Sequence, residues 1–231
     1  MGKDLYVFLG PPGAGKGSLS TLCTIRLGWK QLSTGNLCRS EISCGSVLGQ
    51  QMDLLIKSGK LVPDNLVVAM IEKAIKENAE DLAPIILDGF PRTSLQAQAL
   101  GDLITEKAFA SFRIMVVRMC ILNDTLIERL VNRVICQNKS CQAVYSKAGL
   151  AQEALDLMIC ELCSSRLVQR DDDNAIVAQK RLEYYYAHER DIIDYAKRRE
   201  WPLFDLEVER SIEEVFADFK RIVGIETESL S

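Results

Sequence analysis

Residues 10–18, GPPGAGKGS, follow the apolar run at residues 5–9 and precede a segment with helical spacing. Glycines in such a run let successive backbone N–H groups turn inward around an anion, Lys16 adds a positive charge, and the start of a helix favours negative charge. The chain is therefore expected to be built around a strand, a phosphate-cradling loop and a helix. The pattern G-x-x-x-x-G-K-[ST] is met at Gly10, Gly15 and Lys16, with Gly17 in the hydroxyl position and Ser18 one residue late. The expected ligand is a nucleotide phosphate. A glycine-rich turn without a ligand is the plainer alternative, and the order strand, loop, helix argues against it.

The rest of the chain reads as alternating short apolar runs and amphipathic segments, the pattern of an α/β protein. A helix carrying Leu19, Leu22, Cys23 and Leu27 ends at Gly28, and a short strand over residues 29–32 follows. Asp64 is expected to cap a helix bearing Val67, Met70, Ile71, Ala74 and Ile75. A strand at 84–87 runs into Asp88-Gly89-Phe90-Pro91-Arg92-Thr93, and another spans 112–119. A carboxylate at a strand's end beside a phosphate loop can hold the waters of a phosphate-bound Mg²⁺, which makes Asp88 a candidate. The planar fork of Arg92 can grip a phosphate with two hydrogen bonds. Asn123 and Asp124 are expected to cap a helix carrying Ile127, Leu130, Val131 and Val134, with Arg129 and Arg133 together on a face turned from that stripe. A long helix is expected from Arg170 to Arg199, a last strand at 203–206 and a terminal helix at 212–223, with a frayed acidic tail at 226–231.

Eight cysteines in a chain of 231 residues do not imply a disulfide scaffold, because 48% hydrophobic content is enough for a core. Cys23, Cys38, Cys44 and Cys120 are scattered in apolar surroundings and are expected to be buried and inert. Cys136, Cys141, Cys160 and Cys163 are grouped as C-x₄-C-x₁₈-C-x₂-C, a spacing that can bring four thiolates onto one tetrahedral Zn²⁺. His188, the only histidine, argues against histidine-based nucleophilic catalysis and against a Cys/His metal site. A net charge of -4 gives no bulk attraction to nucleic acid or an anionic membrane, so a basic site has to be built locally. The start MGKDLY has no basic region leading an apolar stretch, Tyr6 spoils a myristoylation pattern, and the run at 114–122 is broken by Arg118. A soluble cytoplasmic protein is expected.

Four motifs, in order, resemble those of the nucleoside monophosphate kinases, adenylate kinases above all. They are GPPGAGKG with Ser18; Ser33-Thr34-Gly35-Asn36-Leu37-Cys38-Arg39, similar to STGDxxR with Asn36 in place of Asp; DGFPRT at 88–93; and Arg170-Asp171-Asp172-Asp173 with Arg181 eleven residues after Arg170. With the cysteine group, the resemblance is to the long-lid, zinc-bearing type and runs over residues 6–223. It implies a P-loop doubly wound parallel sheet with helices on both faces, one core over 1–231 carrying an inserted NMP-binding arm at 33–62 and a zinc-binding lid at 132–172. It implies that MgATP and AMP give two ADP, in a monomer without nucleic-acid or membrane partners. It assigns ATP to Gly13, Ala14, Gly15, Lys16, Gly17, Ser18, Arg129, Arg133, Val144, Tyr145 and Arg210, the last with Val208 where the family's adenine loop carries Gly and Lys. It assigns AMP to Thr34, Arg39, Lys60, Leu61, Val62, Gly89, Phe90, Pro91, Arg92, Gln96, Arg170 and Arg181, with Gln96 at the adenine edge. Lys16, Asp88, Arg92, Arg129, Arg133, Arg170 and Arg181 would carry the chemistry, and Zn²⁺ on the four cysteines would be structural.

The residues agree with that chemistry, since phosphoryl transfer between polyanions needs positioning and charge neutralisation more than a base. Two alternatives remain. A UMP/CMP kinase would share the loop and a DGFPR-like run, although that group is typified by a short lid without zinc. A P-loop protein with a nucleic-acid-binding zinc knuckle is conceivable, but residues 137–140 and 142–162 lack the basic and aromatic cluster of that role.

Overall fold

The computed structural model describes residues 3–57, 62–106, 109, 112–138, 141, 143–169 and 173–225. Five parallel strands form the main sheet: β1 (Lys3–Leu9), β2 (Lys30–Ser33), β3 (Ile85–Asp88), β4 (Phe112–Cys120) and β8 (Leu203–Glu207), in the order β2-β3-β1-β4-β8. β1 lies at the centre, with Leu5 opposite Ile85 on one side and Ile114 on the other. Its side chains alternate between two cores. Leu5, Val7 and Leu9 pack with α4 (Asp64–Glu77), α5 (Ser94–Thr105) and α8 (Ala175–Arg198). Tyr6 and Phe8 pack on the opposite face with α1 (Lys16–Leu27) and α9 (Ile212–Ile222), where the buried Phe219 ring stands edge-on to Tyr6, Phe8 and Trp29. Burial on both faces is why β1 is a continuous apolar run. The expected doubly wound sheet is present.

Two smaller units flank this sheet. Helices α2 (Thr34–Ser43) and α3 (Val47–Lys57) lie against each other, and a Cβ at Gly49 would fall 2.5 Å from the Glu41 carbonyl oxygen, so only glycine permits the approach. Beyond α6 (Asn123–Val131), the strands β5 (Arg133–Cys136), β6 (Val144–Ser146) and β7 (Leu167–Val168) form an antiparallel sheet in the order β6-β5-β7, with the short helix α7 (Gln152–Leu157) beside it. This unit has its own core of Val134, Ala143, Leu150, Ala154 and Leu167 with Cys136 and Cys160. Its two ends meet: Gln169 Nε2 donates to the Val131 carbonyl at 2.8 Å and to the Asp173 carbonyl at 3.2 Å.

Several local expectations are corrected. Asp64 is the first residue of α4 and not its cap, which falls on Pro63; its carboxylate is engaged by α5 and the residue before it. α6 starts at Asn123 itself, so the capping position is Leu122. Arg133 does not share a helix face with Arg129, because α6 stops at Val131 and the backbone turns to pair with β6, the Asn132 carbonyl accepting from Lys147 N–H at 2.8 Å. The long helix begins at Ala175, where the Asn174 side chain accepts from Val177 N–H at 3.0 Å. Cys23 and Cys38 are buried as expected, whereas Cys44 is exposed and Cys120 half-buried. Lys60, Leu61, Arg170, Asp171, Asp172 and the tail at 226–231 lie outside the described residues. No helix among the described residues is long and apolar enough to cross a membrane.

Candidate active site

The parallel strands deliver their loops to one edge of the sheet, where ligands bind in open α/β folds. A cleft of about 1140 Å³ opens there, floored by the loop after β1. Gly13, Ala14, Gly15, Gly17 and Ser18 line it around Lys16. The Lys16 ammonium lies back on its own loop, donating to the carbonyls of Gly10 at 2.6 Å and Pro11 at 2.8 Å. Although the residue as a whole is half-buried, its charged end is enclosed. Burial pushes its pKa down to about 7, helped by Arg92, Arg181 and Arg133 and opposed by Asp88. Asp88 ends β3, next to β1, and one of its oxygens accepts from Gln31 Nε2 at 3.1 Å.

On one side of the cleft the DGFPRT turn meets the start of α2. The Gly89 carbonyl accepts from the Thr34 hydroxyl at 2.9 Å and from Arg92 Nε at 2.8 Å. Gly89 has φ +81°, and a Cβ there would lie 2.8 Å from both Thr34 Oγ1 and Arg92 Nη2, so substitution would displace both groups. Arg39 donates to the side-chain oxygen of Asn36, a neutral acceptor where a carboxylate would make an ion pair. Val62 and Pro91 line this side, while Phe90, placed at the site by its motif, turns its ring into the core below. Gln96 is buried and not solvent-facing. Its Oε1 accepts from Arg92 N–H at 2.7 Å, and its Nε2 donates to Asp64 Oδ1 at 2.7 Å.

The opposite wall brings together α6, the small sheet and α8. Arg129 reaches from α6 to the Val208 carbonyl at 3.3 Å, beyond β8. Arg133 on β5 grips Asp173 with both arms of its guanidinium, and Arg181 on α8 lies 3.8 Å from the same carboxylate. The Asp173 side chain is fully buried. It was not among the expected site residues, because in the run DDD nothing marks which acid turns inward. Val144 and Tyr145 line the cleft from β6, and Arg210 lines its far end while paired with Asp218 at 2.7 Å. Among the described lining residues, the cations Lys16, Lys30, Arg39, Arg92, Arg129, Arg133, Arg181 and Arg210 outnumber the acids Asp88 and Glu161, with Asp173 and Asp218 pairing three of them from behind the wall. In a chain of net charge -4, such a concentration of cations fits a polyanionic ligand.

The four sulfurs of Cys136, Cys141, Cys160 and Cys163 lie within 4.8 Å of one another. Cys136 and Cys163 are 3.4 Å apart and Cys141 and Cys160 3.8 Å, close to the edge of about 3.8 Å that Zn–S bonds of about 2.3 Å impose on a tetrahedron. Asn138 N–H points to the Cys136 sulfur at 3.4 Å, and the Tyr145 hydroxyl lies 3.3 Å from that of Cys160. Without metal, burial pushes Cys136 up to about 12, while hydrogen bonds from Ser165 pull Cys163 down to about 6. The cluster is compatible with zinc.

A phosphate loop on the central strand, an arginine-bearing turn on its neighbour and a cation-rich wall across the cleft place the protein among the P-loop nucleoside monophosphate kinases. The family model for adenylate kinase matches residues 8–201. An adenylate kinase of Methanocella arvoryzae is 34% identical over 220 residues, covering 94% of this chain and 97% of that protein. One from Chlamydia felis is 38% identical over 190 residues (82% and 84%), and one from Syntrophomonas wolfei 35% over 214 residues (93% and 96%). The chain belongs to the adenylate kinase family. Its reaction is reversible phosphoryl transfer from ATP to AMP, which sets aside the UMP/CMP-kinase and nucleic-acid readings.

Proposed function

We propose that MgATP and AMP occupy the two sides of this one cleft, with the donor on the phosphate loop and the acceptor between α2, α4 and the DGFPRT turn. The observation that carries this division is the placement of cations on three separate walls, in a cavity larger than the roughly 300–1000 Å³ usual for one small ligand. Lys16 and the backbone of residues 13–18 would cradle the ATP phosphates, and Asp88 would hold the hydrated Mg²⁺ that arrives with them. Arg39 and Arg92 would clamp the AMP phosphate while Thr34, Val62 and Gln96 receive its nucleoside. Arg129, Arg133, Arg170 and Arg181 would neutralise charge on the transferring group, with Asp173 holding Arg133 and Arg181 in place. The loose transition state of phosphoryl transfer asks for this positioning and charge, and no base is required.

Residues 33–62 serve as the acceptor arm and 132–172 as a lid that closes over the nucleotides and excludes water, which would otherwise take the phosphoryl group. Cys136, Cys141, Cys160 and Cys163 would hold Zn²⁺, whose four filled positions make it a structural staple. The protein would act in the cytoplasm without nucleic-acid or membrane partners, and as a monomer, a reading supported by one chain supplying both walls of the cleft. A coupled assay of ADP formation from ATP with AMP, CMP, UMP and GMP side by side, with metal content measured on the same sample, tests the reading. AMP should be the preferred acceptor. Faster turnover of UMP or CMP would overturn the acceptor assignment.

A further inference from the structure

An amide can read adenine or guanine with equal ease if it is free to turn. Adenine presents an acceptor, N1, beside an amino donor; guanine presents an N–H donor beside a carbonyl acceptor. A half-turn of a glutamine amide converts the complement of one edge into the complement of the other. Placing Gln96 at the acceptor base therefore does not by itself explain discrimination. The amide needs to be held.

In this structure it is held from both ends. The Arg92 N–H can only donate and lies 2.7 Å from Oε1, while the Asp64 carboxylate can only accept and lies 2.7 Å from Nε2. The partners thus define which end is oxygen, and a half-turn would set donor against donor and acceptor against acceptor. After these two bonds the amide retains one N–H and one lone pair at fixed positions, so a base held in a given seat can meet them with only one of the two edges, and in the seat proposed for AMP that edge is adenine's. Asp64 is itself anchored, as the first residue of α4 and through its second oxygen, which accepts from the Thr93 hydroxyl at 2.8 Å. Gln96 lines the cleft beside Val62 and Val67.

We propose that Asp64 determines acceptor-base specificity: by fixing the orientation of the Gln96 amide it selects 6-amino purines over 6-oxo purines. It is a positioning residue acting through Gln96, and the inference rests on the reading that Gln96 meets the acceptor base. A merely structural Asp64 would weaken all acceptors equally, whereas this role changes their ratio. The test compares kcat/KM for AMP and IMP, with ATP as donor, in the wild type, Asp64→Asn and Gln96→Leu. The amide introduced by Asp64→Asn can donate as well as accept, so half of the constraint disappears. The AMP-over-IMP ratio should fall by about tenfold, the scale of one charge-assisted hydrogen bond, with the KM for ATP within about twofold of wild type. Asp64→Ser, whose hydroxyl also donates and accepts, should act in the same direction and serves where the first variant is too unstable to assay. A preserved ratio in the Asp64 variants, or an equal loss for both acceptors, overturns the proposal while leaving the Gln96 reading intact if Gln96→Leu abolishes the preference. A preserved ratio in Gln96→Leu overturns the Gln96 reading and the proposal together.

Discussion

Lys16 is bonded to two carbonyls of its own loop, and a phosphate has to take it from them. With its pKa lowered to about 7 by burial, Lys16 is largely neutral at pH 8 in the free protein. A bound polyphosphate raises that pKa, so MgATP binding should take up a proton at pH 8, and affinity should fall as pH rises through about 7 toward the higher value of the loaded site. Calorimetry in buffers of different ionisation enthalpy reads the uptake directly. Lys16→Ala should abolish it and lower turnover by roughly 10² or more, the scale of losing one preorganised charge on a developing anion. Uptake that survives the substitution would assign the proton to another group. Arg92 belongs to the other side of the cleft, braced by the Gly89 carbonyl and not by the phosphate loop. Arg92→Ala should cost about 2 to 4 kcal/mol in kcat/KM for AMP while leaving ATP affinity nearly unmoved. An equal loss for both nucleotides would contradict the division of the cleft.

At the scale of elements, the proposed zinc would staple the four-cysteine sheet, whose own core is small. Its core is a handful of residues, and apparent zinc energies of about 10 to 16 kcal/mol exceed what so small a cluster provides. Removing metal under reducing conditions should loosen this sheet, raise its protease sensitivity and lower Tm, while the five-stranded sheet persists. An unchanged Tm, or lost turnover with the small sheet still protease-resistant, would count against a structural metal. Much of this architecture was legible in the chain. The phosphate loop, the apolar runs and the cysteine spacing are short-range signals, and each names its element directly. What was not legible depends on partners distant in sequence. Asp64 sits where a cap would, yet its oxygens belong to Thr93 and Gln96, 29 and 32 residues away. Arg133 keeps helical spacing from Arg129, but pairing with β6 outweighs the weak helical preference. The inward turn of Asp173 is set by Arg133 and Arg181, and position 44 is exposed because it falls just past the end of α2, away from the core.

For the molecule as a whole, the small sheet is joined to the rest by a neck. If 132–172 act as a lid, replacing 133–168 by a short turn should leave the main sheet folding cooperatively, as followed by circular dichroism, while ADP formation falls by at least about 10², the loss of Arg133 and of water exclusion together. A variant that does not fold would show the sheet to depend on its insert. The neck is drawn tight by Gln169, which bonds the carbonyls of Val131 and Asp173 at once, and by the grip of Arg133 on the Asp173 carboxylate. To the remainder of the chain, everything between those residues is a closed loop with pinned ends. Closure entropy depends on length only logarithmically, about 0.6 kcal/mol for each doubling. Residues can therefore be gained or lost within the loop at almost no cost to the fold that carries it, so long as the ends stay together, and it is the joining of those ends, more than the size of what hangs between them, that the parent sheet feels.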